Sequence, residues 1–377
     1  MKALILNSGM GSRMGVLASE HPKCMTEIDS KDTILSRQLR QISEAGIEEV
    51  IMTTGNFDTV LVNYCQELSL PIKITFVKNP LYKETNYIYS IYCAREYLDD
   101  DIILMHGDLV FEHSVFDSLM AFDGSCMIVS STLPLPQKDF KAVLNNDKIV
   151  KVGIEFFNEA VAAQPLYKLT KDDMRIWLDE MIQYCEADNT GCYAENALNE
   201  VAESMNIRPL DVKKKLCNEI DNSEDLAVVS SKLKEIENRI VYMCFSTDII
   251  HSGHISIIHK ASRLGRVVVG ILSDEAVSTY KRQPLVPASE RKVLFKNLAL
   301  VYKVVDQNTL SYRENLLKYK PDIVVHGDDW RTGYQKPIRD EVTEILASYG
   351  GRLIEFPYSL DEKYKAIEDR AKKEFLN

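Results

Sequence analysis

Short β-rich runs alternate with amphipathic helical patterns along the chain. "KALILN" is followed by "ILSRQLRQISEAG", then "EVIMTTG", a helical stretch, "IKITFV", "NYIYSIYCAREYL" and "DIILMHGD". Strand and helix in strict alternation predict an α/β fold with a mostly parallel sheet and helices on both of its faces.

The pattern breaks at "DNSEDLAVVSSKLKEIENR" (221–239), a polar, charged helix. A second alternating series begins after it, with "IVYMCFST", "HISIIHKASRLG", "VVVGILSD", "ERKVLFKNLALV", "YKVVD", "RENLLKYK", "DIVVHGDD", "IRDEVTEILASYG" and "RLIEFPY". Five strands with their crossovers fit a compact nucleotide-binding unit. Two Rossmann-like domains are therefore expected, over 1–237 and 238–377, and a chain of 377 residues suits two cores better than one.

Composition narrows the class. Hydrophobic residues at 45% and charged residues at 27% describe an ordinary globular protein. A net charge of −11 disfavours nucleic acid as a partner, because phosphate neutralisation needs a basic face. Small anions need only local donors and stay open. The eight cysteines lack framework spacing, which predicts reduced thiols. No window approaches ~18 consecutive apolar residues, and the opening apolar stretch is too short for a signal core. No membrane association and a cytoplasmic location are expected.

The chemistry begins at "LNSGMGSRMG" (6–15). Gly9, Gly11 and Gly15 follow a predicted strand, where backbone N–H groups can approach an anion closely. The spacing differs from a dinucleotide fingerprint, and no Gly-Lys-Ser/Thr follows as a Walker loop would require. A tight strand-to-helix turn is the plain alternative. Arg13 in the loop and Lys23 in "HPKCM" add two cations that can neutralise a triphosphate and stabilise departing pyrophosphate. Asn7, Ser8, Gly9, Gly11 and Ser12 are the expected nucleotide contacts.

G-x-G-S-R-M followed by P-K resembles the signature of nucleotidyltransferases that make NDP-sugars and related activated head groups. With "NPLYKETNYIYSIYCA", "HGDLVFE", "KDFKAV", "QPLYKL", "YAENALNE" and "EID", residues 1–235 resemble the cytidylyltransferase branch acting on phosphocholine or 2-aminoethylphosphonate. The resemblance implies that Asp108 and Asp221 hold Mg²⁺, a hard cation suited to carboxylates and phosphate oxygens. Lys141 and Lys168 are then expected at the incoming anion, and Glu195 and Asn196 at an amine; each of the four has a surface or helix-start alternative. Tyr87, Tyr89 and Tyr92 suit either a cation–π pocket or core packing.

"FSTDIIHSGHISIIHKASRLG" places His251 and His254 at a helix opening, where N–H donors and the helix dipole both favour phosphate. H-x-G-H after "FSTD" resembles the cytidylyltransferase superfamily, especially domains fused to phosphoenolpyruvate mutase. Position by position, that resemblance gives His251, His254 and Lys281 to the transition-state phosphates, and Asp248 and Asp328 to ordering the site. The hydroxyl-rich "ISST"-like run expected after the last strand is replaced by "FPYSLDEKYKAIEDRAKKEFLN", where Ser359 and Asp361 can cap a helix. A weakened, altered or silent second domain would follow.

The combined expectation is a CTP-dependent cytidylyltransferase that activates a small phosphonate or phosphate as its CMP derivative and releases pyrophosphate, with the second domain another cytidylyltransferase or a degenerate one. The rival is a sugar-1-phosphate nucleotidyltransferase using UTP or dTTP, its second domain a nucleotide-binding module. A homodimer is compatible with either.

Overall fold

The computed structural model describes residues 1–9, 20–247, 249–280, 284–357 and 370. The chain divides into two compact units, Met1–Leu233 and Lys234–Asn377.

The first unit is built on β1 (Lys2–Asn7), β2 (Glu49–Thr54), β3 (Lys73–Lys78), β4 (Ile102–His106), β5 (Leu109–Phe111), β6 (Cys126–Ser130), β7 (Lys141–Asn145), β8 (Lys148–Gly153), β9 (Ala160–Leu169), β10 (Arg208–Asp211) and β11 (Cys217–Glu219). The main sheet runs β10-β6-β9-β4-β1-β2-β3, with the β7–β8 hairpin attached through β9. β1 pairs in parallel with β2 and β4, and β2 with β3. Along β1, Leu4 and Leu6 enter one hydrophobic cluster while Ala3 and Ile5 enter another. Alternate side chains point to opposite faces, so a strand covered on both sides must be apolar throughout, as "KALILN" is.

β9 interrupts the parallel order, pairing antiparallel with β4, β6 and β7. It carries Pro165 in its interior, which cannot donate to a ladder. The β6–β9 register shifts opposite that stretch, so the proline sits at an irregularity.

The second unit holds β12 (Ile240–Phe245), β13 (Arg266–Leu272), β14 (Val301–Gln307), β15 (Ile323–Gly327) and β16 (Arg352–Phe356). Its order is β14-β13-β12-β15-β16, every pair parallel. That is the 3-2-1-4-5 order of a doubly wound sheet, whose crevice lies where the direction reverses beside β12. The expected α/β class holds, with parallel pairing throughout the second unit's sheet and mixed pairing around β9 in the first. All eight cysteines are free thiols. Among the described residues, no helix is long and apolar enough to cross a membrane.

Candidate active site

In the first unit, the chain leaves β1 and β4 on the same edge of the sheet and lines a cavity of about 590 Å³. Asn7 closes β1, its backbone N–H donating to Thr53 Oγ1 at 3.1 Å. Asn7 Nδ2 is buried without a hydrogen-bond partner, a cost of ~1–3 kcal/mol that a ligand acceptor would relieve. Ser8 and Gly9 continue the wall, although the Ser8 hydroxyl is engaged with Ser90 Oγ at 2.5 Å. Gly11, Ser12 and Arg13 lie outside the described residues.

Two short strands bring the acidic groups together. β5 pairs antiparallel with β11, placing Leu109 opposite Glu219, and Ile220 N–H donates to Asp108 O at 3.0 Å. Gly107 lets the β4 exit close on β1, because a Cβ there would collide with Asn7 Oδ1 and stand 2.9 Å from Leu6 O. Gln38, on the helix Ile34–Glu44, fastens the turn from beneath. Its Nε2 donates to His106 O at 2.9 Å and Leu109 O at 2.8 Å. Asp108 and Asp221 consequently flank one ammonium group. Lys23 Nζ stands 2.5 Å from Asp108 Oδ2 and 2.7 Å from Asp221 Oδ1. Burial pulls the Lys23 amine down and the Asp108 carboxyl up, but the mutual attraction outweighs both effects and keeps the pair ionised.

His106 and Glu219 stand two residues before Asp108 and Asp221, and both escaped sequence reasoning. H-x-D and E-x-D were the available signal, an ionisable residue two positions before each aspartate at the exits of β4 and β11. His106 Nδ1 and Glu219 Oε1 are 2.8 Å apart. Burial, then the charge of Asp108, pushes the Glu219 carboxyl up to about 7. Among the described residues, His106, Asp108 and Glu219 form a group close enough to share an ion, their ligand atoms within 4.8 Å of one another. Asp221 is not in that trio; it is held through Lys23 instead.

An aromatic wall adjoins these charges. Tyr87 meets His106 edge-on at 4.7 Å and Tyr193 at 5.9 Å, and Phe140 meets Tyr193 at 5.3 Å. Tyr87 starts the helix Tyr87–Ala94 under an Asn86 cap. Tyr89 and Tyr92 do not join it; they stack on each other at 5.6 Å, off the cavity wall.

Four sequence-derived expectations change here. Glu195 is 1% exposed and accepts hydrogen bonds from Tyr87 and, at 2.8 Å, from Tyr167, so it stands behind the wall and positions Tyr87. Asn196, next on the same helix, is exposed and off the cavity. Lys168 spends its ammonium on Met120 O and Phe122 O, the carbonyls ending the helix His113–Ala121. Lys141 is 0% exposed, donating to Pro136 O at 2.6 Å and Asp139 O at 3.1 Å. Neither amine reaches the cavity.

In the second unit, His251 caps the helix Ser252–Ser262. Its Nδ1 accepts Gly253 N–H at 3.1 Å, and His254 Nδ1 accepts His251 N–H at 3.5 Å. With both Nδ1 atoms accepting, the tautomer compatible with these bonds is the Nε2–H form. The ring centroids are 3.9 Å apart. Asp328 follows β15, half-buried at the start of a short 3-10 turn. Asp248, Lys281, Ser359 and Asp361 lie outside the described residues.

Two family models match the chain over separate stretches. Residues 3–132 match the family described as MobA-like NTP transferase domain, and residues 244–365 match the cytidylyltransferase-like family. The CMP-5'-(3-aminopropyl)phosphonate synthase of Streptomyces rubellomurinus is 32% identical over 131 residues, 35% of this chain but only 21% of that protein. The CTP:phosphoglutamine cytidylyltransferase of Campylobacter jejuni is 26% identical over 259 residues, covering 62% of this chain and 100% of its own. The CTP:phosphocholine cytidylyltransferase of Streptococcus pneumoniae shares the fold, with a TM-score of 0.51 at 16% identity over 62% of this chain and 98% of that one. Two stretches of the chain are thus similar to two different families, residues 3–132 to the MobA-like NTP transferase domain and residues 244–365 to the cytidylyltransferase-like family.

Proposed function

We propose that the first unit transfers CMP from CTP to a small phosphonate or phosphate that also bears an amine. The observation carrying this reading is that one cavity joins the Lys23–Asp108–Asp221 cluster to an aromatic wall of Tyr87, Tyr193 and Phe140, with the Glu219 carboxyl beside it. Triphosphate chemistry needs the first feature. A cationic head group would fit the second, through ring faces and a carboxylate. An uncharged sugar has less use for it. The named phosphonate and phosphoglutamine relatives add support.

Asp108 and Asp221 would hold Mg²⁺. The fit is visible in the Lys23 ammonium already seated between them and in Asp108 Oδ1, buried without a hydrogen-bond partner. When bound, the ion supplies positive charge to the nucleotide phosphates. In the reaction, an acceptor oxygen attacks the α-phosphorus of CTP. A new P–O bond forms there, and the α–β bridge breaks to release pyrophosphate. No protein base is needed, because the attacking oxygen is already anionic, so positioning and charge neutralisation carry the rate. Asn7 would orient the base or ribose, Ser8 and Gly9 would seat the phosphates, and Lys23 would stabilise the leaving pyrophosphate.

The second unit is proposed as a further cytidylyltransferase site, with His251 and His254 presenting Nε2–H donors to phosphate and Asp328 ordering the pocket. A cytoplasmic, multifunctional enzyme of phosphonate metabolism is the corresponding cellular role. The test is pyrophosphate release with CTP, UTP and dTTP crossed against phosphocholine, 2-aminoethylphosphonate and glucose 1-phosphate. Turnover confined to CTP with the amine-bearing acceptors is expected; turnover of UTP or dTTP with glucose 1-phosphate would overturn the reading.

A further inference from the structure

The expected anion contact, Lys141, is withdrawn into the protein, and its withdrawal organises a neighbouring lysine. Lys141 Nζ is held by the carbonyls of Pro136 and Asp139, with the Phe157 ring centroid 4.2 Å away. It therefore pins the turn between those carbonyls, and Lys138 lies inside that turn. Lys138 is exposed, lines the cavity, and has no ion pair or hydrogen bond among the described residues. Two positions on, Phe140 is 5% exposed and packed against Tyr193 and His106, which anchors the turn to the aromatic wall.

Charge balance then asks which cation meets the acceptor's anion. Lys23 is shared by two carboxylates, while Asp108, Glu219 and Asp221 repel a phosphonate. Among the described cavity lysines, Lys138 and Lys83 carry no ion pair or hydrogen bond, and Lys83 Nζ lies 5.8 Å from the Tyr82 ring centroid. Lys83 follows Tyr82, whose ring lies 3.0 Å from where a Cβ on Gly55 would stand, close to Ser8 O at the start of the glycine loop. Lys83 thus stands on the nucleotide side and Lys138 beside the amine-binding wall.

We infer that Lys138 is a specificity-determining residue that binds the phosphonate or phosphate group of the acceptor, with Lys141 as the positioning residue that holds its turn. This rests on the proposed CMP transfer. An ammonium directed at a doubly charged oxyanion makes charge-assisted hydrogen bonds. The acceptor is therefore gripped at both ends, its amine by the wall and its anion by Lys138.

The experiment is steady-state pyrophosphate release by the full chain with CTP and 2-aminoethylphosphonate, comparing wild type, Lys138→Ala, Lys138→Arg and Lys83→Ala. Lys138→Ala should raise the acceptor KM about 10- to 100-fold, leaving the CTP KM within about twofold, and Lys138→Arg should restore most of the loss. Lys83→Ala should show the reverse, a raised CTP KM at an unchanged acceptor KM. An unchanged acceptor KM in Lys138→Ala, or equal rises in both constants, overturns the inference while leaving CMP transfer standing. Absence of turnover by the wild type with every amine-bearing acceptor overturns the underlying reading and the inference with it.

Discussion

Lys23 occupies the space between Asp108 and Asp221 that a divalent cation would need, at 2.5 Å from Asp108 Oδ2. Ammonium and metal are thus competitors for the same oxygens when no nucleotide is present. Replacing Lys23 by Met should do two opposite things. Nucleotide-free Mn²⁺ binding, read by electron paramagnetic resonance, should become tighter because the competing cation is gone. Turnover should fall by about 10²–10³-fold in kcat, because the charge that would stabilise pyrophosphate is also gone. Weaker Mn²⁺ binding in the variant would mean that Lys23 supports the metal site and does not compete for it.

Gln38 does not itself line the cavity, yet it fixes the turn that carries Asp108. Its single amide nitrogen serves His106 O and Leu109 O. Gln38→Met keeps the volume and strands both carbonyls, at a cost of ~1–3 kcal/mol in stability. Because the turn sets the Asp108 carboxylate, kcat should fall about tenfold with little change in the CTP KM. Urea unfolding and steady-state kinetics on the same preparation separate the two effects. Full activity at reduced stability would restrict Gln38 to a structural role.

What sequence reading reached, and what it missed, follows from the range of each interaction. Alternating runs such as "KALILN" and "DIILMHGD" are local patterns, and they became β1 and β4 in adjacent positions. β9 was not legible, because an antiparallel strand with Pro165 inside it lacks the strand signal and is held by partners far along the chain. The same limit explains the lysines. Lys141 and Lys168 sit in basic motifs, but an amine's destination depends on which carbonyls the fold leaves exposed, here Pro136 and Asp139 for one and Met120 and Phe122 for the other. Asp108 and Asp221 carried a motif; His106 and Glu219, two residues earlier in each segment, are brought together by the β5–β11 pairing.

Glu219 gives the protein a pH dependence with a definite sign. Burial and the Asp108 charge raise its carboxyl to about 7, whereas an unfolded glutamate titrates near ~4.3. Between those values the unfolded chain binds fewer protons, so stability declines as pH rises through the window. His106 shares a hydrogen bond with Glu219, which raises its pKa against the pull of burial, so the two groups titrate as a pair and the loss of stability with rising pH belongs to that pair. Glu219→Gln removes the pair. Urea unfolding at about pH 5 and about pH 7.5 should show a smaller loss of stability in the variant than in the wild type. Equal losses would assign the pH dependence to other groups.

The second unit can be tested without interference from the first, because Asp108→Asn should silence CMP transfer there. In that background, His251 has two separable tasks. Its Nδ1 caps the helix Ser252–Ser262 by accepting Gly253 N–H, and its Nε2–H is the proposed donor to the nucleotide. Asparagine is a good helix cap but does not reproduce an Nε2–H at the same reach, whereas alanine supplies neither function. His251→Asn should therefore keep thermal stability close to that of its parent and still lose CTP binding by about tenfold or more. His251→Ala should lose the same binding together with about 1 kcal/mol of stability. Pyrophosphate release remaining in the Asp108→Asn background, followed against CTP concentration, and thermal unfolding provide both readouts. If that background retains turnover and His251→Asn does not raise its CTP KM, the imidazole pair is a helix cap alone and the second unit's nucleotide site must be sought elsewhere.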